Sequence, residues 1–234
     1  MKDFELRGKV KLLSIGIEKT PVLVIDDFSP HHQECIDLAL SCSYSRDIDD
    51  EARYPGDRAL IGSDYGNTVL RSIADLIRAV YKVPRSNDLY PHAGYYSLVT
   101  LPEDQLEFVH TVPHFDNLYS HYYAAMHYLN PGEFGGTGFY RHKPTGYERI
   151  SEEVVDKYFQ SAQDFIDDKG HLEKKYITES TGHYELLEKI EYKQNRFIIF
   201  PGNLLHSAYI DKKERDINPD PKTGRLTANF FFIF

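Results

Sequence analysis

The chain has no tryptophan, two cysteines and two methionines among 234 residues. Two cysteines are too few for a disulfide framework, so the fold must rest on a packed core. Cys35 and Cys42 are spaced seven apart in an expected helix. That puts them on one apolar stripe with Leu38 and Ala39, as small buried hydrophobes. Clustered Lys and Arg are also missing, and the net charge is −9, which argues against a nucleic-acid partner because phosphate binding needs a basic face. No apolar run approaches a membrane span, and the N-terminal residues lack the apolar stretch of a signal peptide. The expectation is a cytoplasmic protein with no membrane partner, acting as a monomer or homodimer.

What is present is a 41% hydrophobic composition, enough for a substantial core, with 18 tyrosines and 14 phenylalanines. Residues 21–28 read as a buried strand. Ser29 and Pro30 then open a helix running to Cys42. Residues 43–66, with Gly, Pro, Asp and Arg, read as a long irregular connection. A second helix is expected over 67–82, with Leu70, Ile73, Ile77 and Val80 on one side. From Tyr90 onward strand patterns dominate: 95–100, 122–129, 139–142, 196–200 and 226–234. A charged segment at about 150–190 interrupts them, with a helix start at Ser151. The fold class expected is mainly β with flanking helices, about eight short strands forming a barrel or sandwich.

Two separated segments carry the chemistry. His114-Phe115-Asp116 holds an imidazole and a carboxylate at i and i+2, positions that share one face of a strand. His206 follows the Pro201-Gly202 turn and supplies a second imidazole. Two imidazoles and one carboxylate on one triangular face of an ion leave the opposite face open, the arrangement suited to non-haem Fe(II). Gly224-Arg225-Leu226-Thr227 adds a cation and a hydroxyl nineteen positions after His206. His110, His121, His127 and His142 are nearby in sequence and read as packing or supporting residues, His142 having a further reach toward substrate.

On these residues the chain resembles the 2-oxoglutarate- and Fe(II)-dependent oxygenase superfamily. The resemblance spans roughly residues 90–234, with 21–28 similar to the usual leading strand. The runs Val112-Pro113-His114-Phe115-Asp116, Gly135-Gly136-Thr137-Gly138-Phe139-Tyr140-Arg141-His142 and Phe200-Pro201-Gly202-Asn203-Leu204-Leu205-His206 are also similar to one bacterial branch of mostly uncharacterised members. The resemblance implies a double-stranded β-helix (jelly-roll, cupin-like) with N-terminal helices and a helical insertion. Residues 1–234 would then be a single domain, with 1–89 as support and 90–234 as the core. It implies His114, Asp116 and His206 as ligands of Fe(II). Arg225 and Thr227 would hold the distal carboxylate of 2-oxoglutarate, with O2 as co-reactant. The interval from His206 to Arg225 is about twice the usual one, and residues 211–223 read as an extended loop that absorbs the difference. Tyr96, Tyr123 and Tyr128 lie on strands expected to face inward, Tyr96 and Tyr123 as cosubstrate contacts. The reaction implied is oxidation of a substrate C–H bond coupled to decarboxylation of 2-oxoglutarate to succinate. A carboxylate at Asp116 favours hydroxylation over halogenation. Arg58, Arg141 and His142 are the candidates for contact with a small-molecule or peptide substrate. Two alternatives stay open: a cupin-type metal-dependent isomerase or metal-binding barrel, and an inactive barrel serving as an interaction module.

Overall fold

The first hairpin joins a solvent-facing strand to a buried one. A computed structural model describes residues 8–48, 54–169 and 173–234. β1 (Lys9–Ile15) is mostly exposed, whereas β2 (Thr20–Asp26) buries Val22, Leu23, Val24 and Ile25. The turn between them needs Gly16 at φ +67°. A Cβ there would also sit 2.0 Å from the Glu148 carboxylate, so both conformation and space select glycine.

α1 (His32–Leu40) starts two residues later than expected. Ser29 Oγ instead accepts the His31 amide before the helix begins. Cys35 is buried in α1, Cys42 lies beyond its end, and Leu38 is 41% exposed, so the three share no stripe. The connection expected over 43–66 holds a strand instead, β3 (Gly56–Leu60), paired along the edge of the sheet. α2 (Ser63–Tyr81) begins inside that same range and buries Val69, Leu70, Ile73 and Ile77. It ends where Lys82 turns left-handed at φ 55°.

β4 (Tyr90–Val99), β5 (Tyr122–Tyr128), β8 (Phe197–Pro201) and β10 (Thr227–Ile233) join β1, β2 and β3 in one sheet, ordered β1-β2-β8-β5-β10-β4-β3. A smaller sheet has the order β7-β6-β9 and is built from β6 (Thr137–His142), β7 (Tyr184–Ile190) and β9 (His206–Ala208). The described residues thus hold ten strands, all paired antiparallel, and the chain is mainly β. The segment expected as a 150–190 insertion contains α3 (Val155–Lys169) but ends in β7, which pairs along the whole of β6. Its polar sequence, Tyr-Glu-Leu-Leu-Glu-Lys-Ile, concealed a strand of the smaller sheet. The long loop after β9 carries a short helix, α4 (Lys213–Asp216).

The strand alternation of period two sorts side chains to opposite faces of the large sheet. Tyr96, Leu98, Tyr123, Ala125, Phe230 and Phe232 pack with α1 and α2 in the largest core cluster. Ala124, Tyr128, Phe139, Ile198, Phe200 and Leu204 fill a second core where the two sheets meet.

Candidate metal centre and acid-binding cavity

The two segments predicted to meet are tied by their backbones. The His114 amide donates to the His206 carbonyl and the His206 amide to the His114 carbonyl, both at 2.9 Å. The Asp116 amide donates to Gly202 O at 2.7 Å. His114 lies outside any strand and makes an isolated bridge, so backbone pairing across the turn orients it, not the alternation of a strand.

One donor atom each from His114, Asp116 and His206 lies within 4.8 Å of the others. His114 Nε2 is 3.7 Å from Asp116 Oδ1, and His206 Nε2 is 3.6 Å from Asp116 Oδ2. These gaps are too long for hydrogen bonds. They are close to the span of adjacent ligands about 2.1 Å from one ion. His206 Nδ1 donates to Leu204 O at 2.8 Å, which leaves the Nε2 lone pair free to bind an ion. Asp116 Oδ2 is buried and has no hydrogen-bond partner. Burial pushes the Asp116 carboxyl upward in pKa, while the charges of His206 and Arg58 pull it down. An orphaned carboxylate oxygen beside two imidazoles fits a cation, which would supply the missing partner.

These residues stand in the wall of a cavity of about 380 Å³. Arg225, Thr227 and Asn229 also line it. Arg225 is 1% exposed, and its Nε and Nη2 donate to the carbonyls of Gly135 (2.7 Å) and Gly136 (2.8 Å). Gly135 and Gly136 lie so close to neighbouring backbone that a Cβ would stand 1.7 Å from the Tyr209 oxygen or 1.8 Å from the Ile190 oxygen, so only glycine fits at either position. Asn229 Nδ2 donates to Ser97 Oγ and to Thr227 Oγ1. The cavity therefore contains a buried cation with its neighbours fixed, a wall suited to an acid.

Other expected contacts are placed elsewhere. Tyr96 and Tyr123 sit on the helix-facing side of the large sheet, and neither lines the cavity. Their neighbours Tyr95 and Tyr122 line it instead. Tyr-Tyr doublets conceal the phase of alternation, and flanking Leu98 and Ala125 were the available signal. Tyr128 is on the cavity side of β5, but its hydroxyl is engaged by Thr137 Oγ1 at 2.7 Å. Arg141 pairs with Glu148 and Glu185 and lies outside the cavity. His142 is fully buried, with Nε2 2.7 Å from His183 Nε2 and Nδ1 2.6 Å from Thr145 Oγ1. Arg141 and His142 thus sit in the smaller sheet, on β6, and not in the wall of this cavity. Arg58 does line the cavity, its guanidinium 4.4 Å from the Tyr54 ring centre and 4.8 Å from that of Tyr95. Tyr54, Tyr95, Tyr122 and Asn229 are among the cavity residues that sequence reasoning missed.

A mainly β chain with a three-donor cluster at a cavity holding a buried arginine defines a candidate metal-dependent protein. By its sequence the chain belongs to the family of unknown function DUF6445, whose model matches residues 7–232. A search of curated proteins finds no match. Among solved structures, the chain is similar to SnoN, the non-heme alpha-ketoglutarate-dependent epimerase from nogalamycin biosynthesis. The identity is 12% and the TM-score 0.49, over 91% of this chain and 77% of that one. It is also similar to HygX from Streptomyces hygroscopicus with nickel, 2-oxoglutarate and hygromycin B bound, at 14% identity and TM-score 0.48, over 92% and 82%. A third is the N-substituted L-amino acid dioxygenase from Burkholderia ambifaria AMMD, at 11% identity and TM-score 0.41, over 98% and 96%.

Proposed function

We propose that this protein is an Fe(II)- and 2-oxoglutarate-dependent oxygenase that hydroxylates a C–H bond of an amino acid, peptide side chain or other small metabolite. The observation that carries the reading is one cavity lined both by the His114–Asp116–His206 cluster and by the buried Arg225. The strand orders β8-β5-β10-β4 and β7-β6-β9, with His114 bridged beside β9, support a double-stranded β-helix as the scaffold.

His114 Nε2, Asp116 and His206 Nε2 would hold Fe(II), and 2-oxoglutarate would enter with O2. The metal and cosubstrate together supply the oxidation, with succinate and carbon dioxide as co-products. The chain's own residues do the rest. Leu204 O fixes the His206 tautomer through Nδ1. The backbone bonds across His114, His206, Asp116 and Gly202 hold the three donors in register before any ligand arrives. Arg225 neutralises the distal carboxylate, and its fixed bonds to Gly135 and Gly136 mean that little side-chain entropy is lost on binding. Apolar walls from Phe200, Phe231 and Val112 exclude water around the reacting atoms.

The test is anaerobic addition of Fe(II) and 2-oxoglutarate, followed by air. A weak visible charge-transfer band and then succinate are expected. Absence of both overturns the proposal.

A further inference from the structure

Tyr54 lies at the entry to β3 and lines the cavity. Its hydroxyl is buried and has no hydrogen-bond partner among the described residues. Other polar groups at this part of the wall are committed. Thr227 Oγ1 and Ser97 Oγ accept from Asn229, and the Tyr128 hydroxyl is engaged by Thr137. Ser97 is close to Tyr54 without meeting hydrogen-bond geometry. The Tyr54 hydroxyl also sits in the fields of two guanidinium groups, Arg225 and Arg58. Burial holds the phenol in its protonated form against those two charges, so it is a donor. A buried donor left unmade is costly and calls for an acceptor. Between two cations, that acceptor is an anion. The ring is held in place by the Arg58 guanidinium, which stands 4.4 Å from its centre and 4.8 Å from the Tyr95 ring.

We propose that Tyr54 is a ligand-binding residue whose hydroxyl donates to the distal carboxylate of a 2-oxo dicarboxylic acid held by Arg225. The inference rests on the proposed function and adds to it a contact from outside the two chain segments that carry the donor cluster. Arg58 is then a positioning residue for Tyr54.

The test compares the wild type with Tyr54→Phe by calorimetry, with Ni(II) in place of iron so that no turnover occurs. The probes are 2-oxoglutarate and 2-oxopentanoate, which has the same carbon chain and no distal carboxylate. The variant is expected to bind 2-oxoglutarate about tenfold more weakly or worse. It should bind 2-oxopentanoate as the wild type does, and melt no lower in the ligand-free form. Equal 2-oxoglutarate affinity in both proteins overturns this inference and leaves the proposed function standing. Equal weakening toward both acids, or a lower ligand-free melting temperature with unchanged affinity, also overturns it. Failure of the wild type to bind 2-oxoglutarate removes both.

Discussion

Phe115, the residue between His114 and Asp116, meets the ring of Tyr158 on α3 edge-on, with ring centres 6.1 Å apart. Phe159 stands at the same 6.1 Å on its other contact. Tyr158 is anchored in turn by the Tyr184 hydroxyl at 3.1 Å and by the edge of His142. The charged segment before β7 therefore buttresses the loop that carries two of the three donors.

Phe115→Ala should lower stability by about 2 kcal/mol, less than for a fully buried phenylalanine because the site is half-buried. It should also weaken Ni(II) binding by loosening the loop. Thermal melts and metal titration read the two effects separately, and Phe115→Leu should restore most of both.

Metal addition should stabilise the wild type by about 2.7 kcal/mol at a concentration one hundred times Kd. Asp116→Ala should show no such rise. Its metal-free form should melt no lower than wild type, since the change removes a buried oxygen that has no partner. A thermal-shift series with and without Ni(II) checks both.

Arg225→Lys should affect fold and ligand together. Lysine cannot reproduce the fork to Gly135 and Gly136, so a loss of about 2 kcal/mol is expected from their buried carbonyls. Affinity for 2-oxoglutarate should fall at least about tenfold by calorimetry. Unchanged affinity would remove Arg225 from the ligand site.

Acid should destabilise the protein through His127. Its Nε2 donates to Asn195 Oδ1 at 2.9 Å, and Nδ1 faces the Tyr65 hydroxyl at 3.4 Å. Burial holds its pKa down at about 4, against an ordinary value of 6.5. Between those values the unfolded chain binds the proton and the folded one does not. Stability should thus be complete above pH 6.5, fall as pH drops toward 4, and level below it, a change on the order of 3 kcal/mol for this residue. His142, also held down to about 4, adds a slope of the same sign. Denaturant melts across this range should show the slope reduced, not abolished, in His127→Gln.

Glu148 gives acid sensitivity at lower pH. Burial raises its pKa, but the Ile17 and Glu18 amides and the Arg141 guanidinium outweigh it, leaving the carboxyl below the usual range. Its contribution is present above the unfolded value near 4.5 and is lost as pH falls through the depressed one. Glu148→Ala should cost about 3 kcal/mol at neutral pH, and Glu148→Gln less, as measured by denaturant melts.

The donor cluster was legible because its residue types and turn signals are local: His-x-Asp after Pro113, and His206 after Pro201-Gly202. The apolar strands β5, β8 and β10 were legible for the same reason. β1 and β7 were not, because strands with exposed or half-exposed side chains carry no apolar run. β3 was hidden by Pro55-Gly56-Asp57, which reads as a turn. Arg141 and His142 find partners in Glu185 and His183, which the pairing of β7 on β6 brings back from a distance along the chain.

The adjacent tyrosines of β4 and β5 make the large sheet a partition with an aromatic lining on each side. Exchanges at Tyr96 or Tyr123 bear on how firmly the helices are seated, while exchanges at Tyr95 or Tyr122 bear on what the cavity admits. Durability and selectivity are therefore written on opposite surfaces of one wall, and each can drift without disturbing the other.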